Sequence, residues 1–267
     1  MLRIAKRMLR RTVRRLGYDI VDYRPDGDAA RRPRFAEDCT EQDIATIEAV
    51  TPYSMTGDNR LLHLIRATQY IAQAGIPGAM VECDVWRGGS MMAVARTLMQ
   101  QGDAKRELYL YDTYSGMVEP DERDVDHRGM VARDTFQQKQ WQQADGSDWC
   151  YASIEEVRAN LESTGYEPAL MHFVKGKVEQ TIPGEAPRQI ALLRLDTDWY
   201  SSTRHELIHL FPRLSPGGVL IIDDYGHWKG QQQAVDEYFA QEGIHMLLHR
   251  VDPFARMAVK LPSPLQP

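Results

Sequence analysis

Short apolar runs alternate along the chain with longer segments in which apolar residues recur about every three or four positions. The short runs are typical of strands buried on both faces of a sheet, and the longer period is typical of helices. The predicted strands are residues 79–84, 107–112, 169–176, 189–198, 217–224, 245–251 and 255–261. The predicted helices are residues 58–74, 88–100, 153–165, 203–214 and 232–241. A capping box at Ser153 and Glu156 opens the third of these helices.

This order of elements predicts an α/β fold. Strands that alternate with helices favour a mostly parallel sheet with helices on both faces. About four residues separate the last two strands, which is too few for a crossover, so these strands should pair antiparallel. We therefore expect a seven-stranded, mostly parallel sheet that ends in a C-terminal antiparallel hairpin. It forms one domain over residues 41–267, with an insertion at about 113–152.

Residues 1–40 are predicted to be a separate segment. Residues 1–15 combine seven basic side chains with apolar residues at helical spacing and hold no acidic residue. Such a helix can lie on an anionic membrane surface, or it can pack on its own domain or on a partner subunit. Residues 24–34 resemble a flexible joint. We also expect the protein to be a homo-oligomer.

Composition narrows the function classes. The chain has a formal net charge of −6, and it is more acidic still beyond residue 15, so we expect no nucleic-acid partner. No run approaches the ~18 apolar residues of a membrane-spanning helix. The three cysteines form neither a disulfide framework nor a zinc pattern. Because no secretory segment is seen at the start, we expect a cytoplasmic protein that associates with membranes only through its basic helix.

Acidic residues follow several predicted strands. Asp112 ends the second strand, Asp196 and Asp198 end the fourth, and Asp223 and Asp224 end the fifth. Open parallel sheets bring such ends to one edge, where they bind ligands. Carboxylates crowded there repel unless they take up protons or hold a cation, and oxygen ligands favour Mg²⁺, Ca²⁺ or Mn²⁺ over zinc. We predict a metal site, the alternative being that one of the last two acids caps the next helix.

A glycine pair follows the first strand in VECDVWRGGS, residues 81–90. Glycines let a ligand approach the backbone, and the free N–H groups of the next helix suit a carboxylate or a phosphate. By itself the motif is weak evidence for a ligand-binding site, because it lacks the G-x-G-x-x-G spacing of nicotinamide-binding proteins. Asp112 strengthens it, since an acid at the end of the next strand can accept hydrogen bonds from ribose hydroxyls. The alternative for Asp112 is a residue that forms a turn.

The insertion is the longest stretch without clear periodicity. It contains Trp141 and Trp149 and few aliphatic residues. Loops of this length inside a compact domain are usually functional, so we predict that residues 113–152 form a lid over the site. The eight histidines show no ligand spacing, and only His227 lies where it could touch a substrate.

Five longer motifs occur in order between residues 53 and 260. They are VECDVWRGGS, LYDTYSGM, HFVKGKVEQTIP, LRLDTDWYSSTRHEL and PRLSPGGVLIIDDYGHWKGQQQAVDEYF. With them the chain resembles the macrocin O-methyltransferase family. The resemblance implies a Rossmann-like class I methyltransferase fold. It also implies an enzyme that uses S-adenosylmethionine and Mg²⁺ to methylate a sugar hydroxyl on a natural product or a surface glycan.

The same resemblance implies roles for individual residues. Mg²⁺ would be held by Asp196, Asp223 and Asp224, and Asp198 would be the general base. The residues that would contact S-adenosylmethionine are Met55, Glu82, Gly88, Ser90, Asp112, Gly176 and Lys177. The family usually has glycine where this chain has Asp84. Aspartate tolerates a left-handed backbone better than most residues, but its carboxylate can clash with, or repel, the carboxylate of the cofactor.

Two other functions remain open from the residues. Asp196-Thr197-Asp198 also satisfies the D-x-D pattern of metal-dependent glycosyltransferases, although that class would not need the glycine turn beside Glu82 and Asp112. The second alternative is a non-catalytic peripheral membrane or scaffold protein that keeps a relic pocket.

Overall fold

The computed structural model describes residue 35 and residues 37–142 and 146–262. From Thr40 onward the described residues belong to one compact unit. The predicted amphipathic helix and the flexible joint lie outside the described residues. None of the helices within the described ranges is both long enough and apolar enough to cross a membrane.

The elements follow the predicted alternation. In the described part of the chain, the helices are α1 (Glu41–Val50), α2 (Asp58–Gln73), α3 (Gly89–Gln100), α4 (Ala132–Lys139), α5 (Ile154–Glu162), α6 (Val178–Thr181), α7 (Tyr200–Leu210) and α8 (Lys229–Gln241). The strands are β1 (Ala79–Cys83), β2 (Leu108–Asp112), β3 (Met171–Lys175), β4 (Ile190–Leu195), β5 (Leu214–Ile222), β6 (His249–Arg250) and β7 (Arg256–Val259). The predicted strands and helices are therefore confirmed, with shifted ends, while α1, α4 and α6 were not predicted.

Local capping explains two helix starts. Thr40 and Asp43 form a capping box for α1, in which Asp43 N donates to Thr40 Oγ1 at 3.1 Å and Thr40 N donates to Asp43 Oδ2 at 2.9 Å. At α5, Glu156 N donates to Ser153 Oγ at 3.2 Å, which is the half of the predicted capping box in which the serine side chain caps the helix. The Glu156 carboxylate accepts from Arg87 Nε at 2.5 Å, so it ties α5 to the glycine turn after β1.

The sheet has the order β3-β2-β1-β4-β5-β7-β6. The first five strands in this order are parallel, and β7 pairs antiparallel with both β5 and β6. This arrangement confirms the predicted α/β class. Strand order reverses between β1 and β4, whose last residues Cys83 and Leu195 are register partners. Open α/β sheets bind ligands at such a switch point, so the site is expected beside residues 84 and 196.

The two faces of the sheet differ in chemistry near this point. Val81, Cys83, Leu193 and Leu195 point into an apolar core that includes residues of α7 and α8. Side chains alternate along a strand, so the intervening residues lie on the opposite face. There Glu82 and Arg194 are register partners, and both are buried. A buried ion pair therefore lies on this face of the sheet, one residue before the ends of β1 and β4.

The insertion is packed against the domain. Met117 joins a buried cluster with Trp199 and Trp228, and Trp149 packs against this cluster. Trp199 Nε1 donates to Val118 O at 3.1 Å, and the fully buried Asp124 accepts from Tyr200 N, at the start of α7, at 2.8 Å. These contacts place the insertion beside the switch point. That it acts as a lid stays a prediction.

Gly230 on α8 makes the Asp124 contact possible. A Cβ at Gly230 would lie 2.0 Å from Asp124 Oδ1, so Gly230→Ala should displace this carboxylate from Tyr200 N. We expect the free energy of unfolding to fall by about 1–3 kcal/mol in urea titrations, and protease cleavage within residues 113–152 to become faster. Gly184→Ala is the control, because its Cβ would meet only Thr181 O at 3.5 Å. Equal effects of the two changes would contradict the expectation.

Candidate active site

Two adjacent cavities open at the switch point. The first, called the acidic cavity here, is lined by Met55, Thr56, Arg60, Asp84, Trp86, Ser90, Met117, Cys150, Arg194, Asp196, Asp198, Asp223 and Asp224, among others. The second, called the inner cavity, is lined by Asp84, Asp112, Gly116, Met117, Gly176, Lys177 and Thr197, among others. Asp84 and Met117 line both cavities, so they form the boundary between them.

Three carboxylates converge in the acidic cavity. Asp196, Asp198 and Asp224 each offer an oxygen atom, and these atoms lie within 4.8 Å of one another. Burial raises the pKa of Asp196 and of Asp198 well above the ordinary value, and repulsion from neighbouring carboxylates adds to the rise. A divalent cation would relieve both causes. The donor set consists of hard oxygen atoms, which fits Mg²⁺.

Asp223 lies beside these three acids but is engaged by two arginines. Its Oδ1 accepts from Arg194 Nη2 at 2.8 Å, and its Oδ2 accepts from Arg60 Nη1 at 2.5 Å. Burial alone would raise the pKa of Asp223, but the two guanidinium groups outweigh burial and lower it. The structure thus groups Asp198 with Asp196 and Asp224, whereas the resemblance implied Asp223 as the third metal ligand. Which of the four binds metal stays a prediction.

Arg194 on β4 connects most of the charges. Its Nη1 forms ion pairs with Glu82 Oε1 and, at 2.8 Å, with Asp196 Oδ2. Its Nη2 also donates to Thr56 Oγ1 at 3.1 Å. The side chain is 3% exposed. Sequence reasoning missed this residue, although a cation within the apolar run IALLRL was a usable signal, since buried arginine is rare without partners.

Arg60 was also missed, and no local signal points to it. It lies on α2, and its Nε donates to Asp252 Oδ2 at 2.7 Å while Nη1 binds Asp223. Nη1 also lies 3.8 Å from Asp224 Oδ1. An arginine on an amphipathic helix usually faces water, so only the tertiary fold reveals that this one closes the side of the acidic cavity.

The residues expected to contact S-adenosylmethionine divide into three groups. Met55 and Ser90 line the acidic cavity, and Asp112, Gly176 and Lys177 line the inner one. Glu82 and Gly88 differ from expectation, because neither is among the residues that line these two cavities. Glu82 lies beneath Arg194, and Gly88 lies where a Cβ would come within 2.6 Å of the Leu161 side chain. Cofactor binding by any of them stays a prediction.

Asp112 is held rigidly at the end of β2. Its Oδ2 accepts from Val85 N at 2.9 Å and Trp86 N at 3.2 Å, and its Oδ1 accepts from Tyr114 N at 2.6 Å. Burial still raises its pKa despite these bonds. The carboxylate therefore organises the turn after β1, as the turn-forming alternative proposed, and it also faces the inner cavity.

The backbone around the cleft is locally strained. Asp84, Trp86, Cys150 and Asp198 all line the acidic cavity, and their φ values are 67°, 46°, 54° and 66°. Residues other than glycine rarely adopt this left-handed region, and such residues cluster at functional sites. His227, by contrast, packs against His127 and Phe254, with ring centroids 5.1 and 5.0 Å away, and its contact with a substrate stays a prediction.

Glu206 lies behind the site and makes stability depend on pH. It is fully buried on α7, where its Oε2 accepts from Thr197 Oγ1 at 3.2 Å. Burial raises the pKa of Glu206 from 4.5 to about 8. The stability that this group contributes is therefore present below about pH 4.5 and lost as pH rises through 8.

Replacing Glu206 by glutamine should remove this dependence. We expect Glu206→Gln to raise the free energy of unfolding by about 2 kcal/mol in alkaline buffer and to change it little in acid. Urea unfolding at both pH values measures the difference. Glu242→Gln, at the exposed end of α8, is the control. A gain that is the same at both pH values would exclude the titration of Glu206 as its cause.

Residues 9–259 match the macrocin O-methyltransferase (TylF) family. The chain belongs to this family. It is 34% identical over 209 residues to the 8-demethyl-8-(2,3-dimethoxy-alpha-L-rhamnosyl)-tetracenomycin-C 4'-O-methyltransferase of Streptomyces olivaceus, covering 75% of this chain and 72% of that protein. It is 30% identical over 221 residues to the mycinamicin III 3''-O-methyltransferase of Micromonospora griseorubida, covering 82% of each. The solved structure of the O-methyltransferase NovP has a TM-score of 0.67 and 28% identity, covering 79% of this chain and 83% of NovP.

Membership of the macrocin O-methyltransferase family confirms three expectations. The resemblance, the class I α/β fold and the assignment as an O-methyltransferase all hold. The glycosyltransferase and the non-catalytic alternatives gain no support, because the matched family and relatives are methyltransferases.

Proposed function

We propose that this enzyme transfers the methyl group of S-adenosylmethionine to a sugar hydroxyl and that Mg²⁺ binds in the acidic cavity. The observation that carries the proposal is the convergence of Asp196, Asp198 and Asp224 in the acidic cavity, which adjoins the inner cavity. The rhamnosyl group in the name of the Streptomyces olivaceus relative supports a sugar acceptor. Bound among the acids, Mg²⁺ would lower the pKa of a coordinated hydroxyl and orient it.

The acidic side chains have two different roles in this proposal, metal binding and proton transfer. Asp196 and Asp224 would offer oxygen atoms to the ion, and Asp223 would do so only after releasing Arg60 or Arg194. Asp198 then accepts the proton of the acceptor hydroxyl, since its oxygen lies within reach of the same cluster. With the ion bound, the burial and repulsion that raise the pKa of Asp198 would be offset, so its carboxylate would be ionised and able to accept the proton.

The donor is proposed to extend across both cavities. Asp112, Gly176 and Lys177 would receive the nucleoside in the inner cavity, while Met55 and Ser90 would contact the part that enters the acidic cavity. Glu82 and Gly88 would act beneath this surface by supporting Arg194 and the turn before α3. Proximity of donor and acceptor at one sheet edge then supplies much of the rate.

The wider setting of the enzyme is part of the proposal. The acceptor is a sugar on a small molecule or on a surface glycan, and nucleic acid is not a partner. Residues 1–15 would make peripheral membrane contact, and the enzyme would act in the cytoplasm as a homo-oligomer. Liposome sedimentation with and without residues 1–15 tests the membrane contact. Light scattering of the full chain tests the oligomeric state.

Metal dependence provides the test of the chemistry. With labelled S-adenosylmethionine and a panel of rhamnosylated acceptors, we expect transfer to fall at least about tenfold when EDTA is added and to recover with Mg²⁺. Zn²⁺ should restore less activity, because the acidic cluster contains no nitrogen or sulfur ligand. Full transfer in EDTA would refute the metal role. Turnover of a nucleotide-sugar instead would favour a glycosyltransferase.

A further inference from the structure

Asp84 occupies the boundary between the two cavities. It follows β1 directly, its N–H donates to Tyr111 O at 2.8 Å, and its φ of 67° is a conformation that glycine adopts more readily. The side chain is partly exposed to the cleft and lines both cavities. A ligand that extends from one cavity into the other must therefore pass this carboxyl group.

The surroundings of Asp84 are acidic. The Asp112 carboxyl is the neighbouring acid that repels it most. Two such carboxyl groups that hold one proton between them carry one negative charge. Glu82 and Glu206 add further repulsion, and burial together with this repulsion raises the pKa of Asp84. Among the described residues, no lysine, arginine or histidine forms an ion pair with Asp84, whereas Asp196 and Asp223 have Arg194.

One part of the proposed donor could supply the positive charge that Asp84 lacks among its protein neighbours. If the nucleoside lies in the inner cavity and the methyl group reaches the acidic cavity, the sulfur atom that joins them passes Asp84 and Met117. In S-adenosylmethionine this sulfur is a sulfonium cation. In the product, S-adenosylhomocysteine, it is a neutral thioether.

We propose that Asp84 makes the enzyme prefer the sulfonium donor over its thioether product, and this inference rests on the proposed function. In the transfer, a bond forms between the acceptor oxygen and the methyl carbon while the carbon–sulfur bond breaks and its electron pair stays on sulfur. The hydroxyl proton goes to Asp198. The sulfur thereby loses the charge that the Asp84–Asp112 pair attracts, so the product is held less tightly than the donor.

The charge of Asp84, and not its backbone shape, is what this inference requires. Glycine would supply the same φ without a carboxylate, and asparagine would keep the size and tolerate the conformation without the charge. The clash with, or repulsion of, the cofactor's own carboxylate that the sequence suggested stays a prediction, and it would weaken the binding of donor and product alike.

Binding calorimetry with the full chain tests the inference without turnover. The Kd values of S-adenosylmethionine, S-adenosylhomocysteine and sinefungin, which carries an ammonium group near the sulfonium position, are measured for the wild type, Asp84→Asn and Asp84→Gly. We expect the ratio of the product Kd to the donor Kd to fall at least about tenfold in both variants. Sinefungin should follow the donor. Glu242→Gln removes an exposed charge outside both cavities and should leave the ratio unchanged.

The outcomes separate the two proposals. If wild type and both variants bind the two ligands with the same ratio, Asp84 does not discriminate, while the proposed function stands. If the wild type binds neither ligand, the proposed function fails and this inference fails with it. If Asp84→Asn binds neither ligand, the ratio of the two Kd values in Asp84→Gly tests the inference instead. Glycine adopts the positive φ at this position without strain.

Discussion

Asp198→Asn is expected to lower kcat by roughly 10²–10⁴-fold while the Kd for S-adenosylmethionine stays close to that of the wild type. Asparagine matches the carboxylate in size and keeps an oxygen atom, but it cannot accept a proton at neutral pH. Asp198 lies within 4.8 Å of the potential ligand oxygens of Asp196 and Asp224, where an acceptor hydroxyl on the metal would be. Its backbone adopts a left-handed φ of 66°, a conformation that clusters at functional sites.

The measurement must separate a base from a metal ligand. Single-turnover rates with labelled donor are compared for Asp198→Asn and Asp196→Asn over a wide range of Mg²⁺ concentration. Loss of a ligand weakens metal binding, so high Mg²⁺ should partly restore Asp196→Asn. Loss of the base should not respond to Mg²⁺, and the residual rate should rise with pH as hydroxide takes over the proton. A normal rate in Asp198→Asn would remove Asp198 as the base.

The position of the site followed from the order of the strands. Strand ends of a parallel sheet meet at one edge, so residues far apart in sequence, such as Asp196 and Asp224, could be placed together from their strands alone. The register of β1 and β4, with Cys83 beside Leu195, bears this out. What a strand end does not determine is the direction of each side chain. Asp198 joins the cluster through a left-handed backbone, and Asp223 turns to two arginines.

Elements held by tertiary contacts were harder to predict. The insertion has little apolar periodicity because it is fixed by a buried carboxylate, Asp124, and by tryptophans from elsewhere in the chain. The predicted strand at 245–251 shortens to His249–Arg250, where both side chains are exposed at the edge of the sheet. An edge strand pairs with a neighbour on one side alone, so fewer of its residues are held in the sheet. A prediction from the apolar pattern therefore makes such a strand too long.

Arg194→Met is expected to lower the free energy of unfolding by about 3–5 kcal/mol, the second large effect. The guanidinium group, 3% exposed, forms ion pairs with Glu82, Asp196 and Asp223. Methionine fills much of the same volume but leaves these carboxylates buried without their shared counter-charge. Urea unfolding in EDTA measures the loss. Arg133→Met is the control, because the Arg133 side chain is 46% exposed and its Nε lies 3.8 Å from Glu119 Oε1, and exposed pairs contribute little.

The pH dependence of this loss identifies its cause. Without Arg194, the pKa of Asp223, which is now lowered, should rise, and the pKa values of Glu82 and Asp196, which burial already raises, should rise further, because Arg194 opposes the effect of burial at all three. Groups with raised pKa values lose their stabilising contribution as pH rises, so the deficit should be larger in alkaline than in acid buffer. Adding Glu82→Gln to the variant should recover part of it. If instead the deficit is independent of pH and unaffected by Glu82→Gln, Arg194 contributes through packing, and the acids at this sheet edge need a different counter-charge.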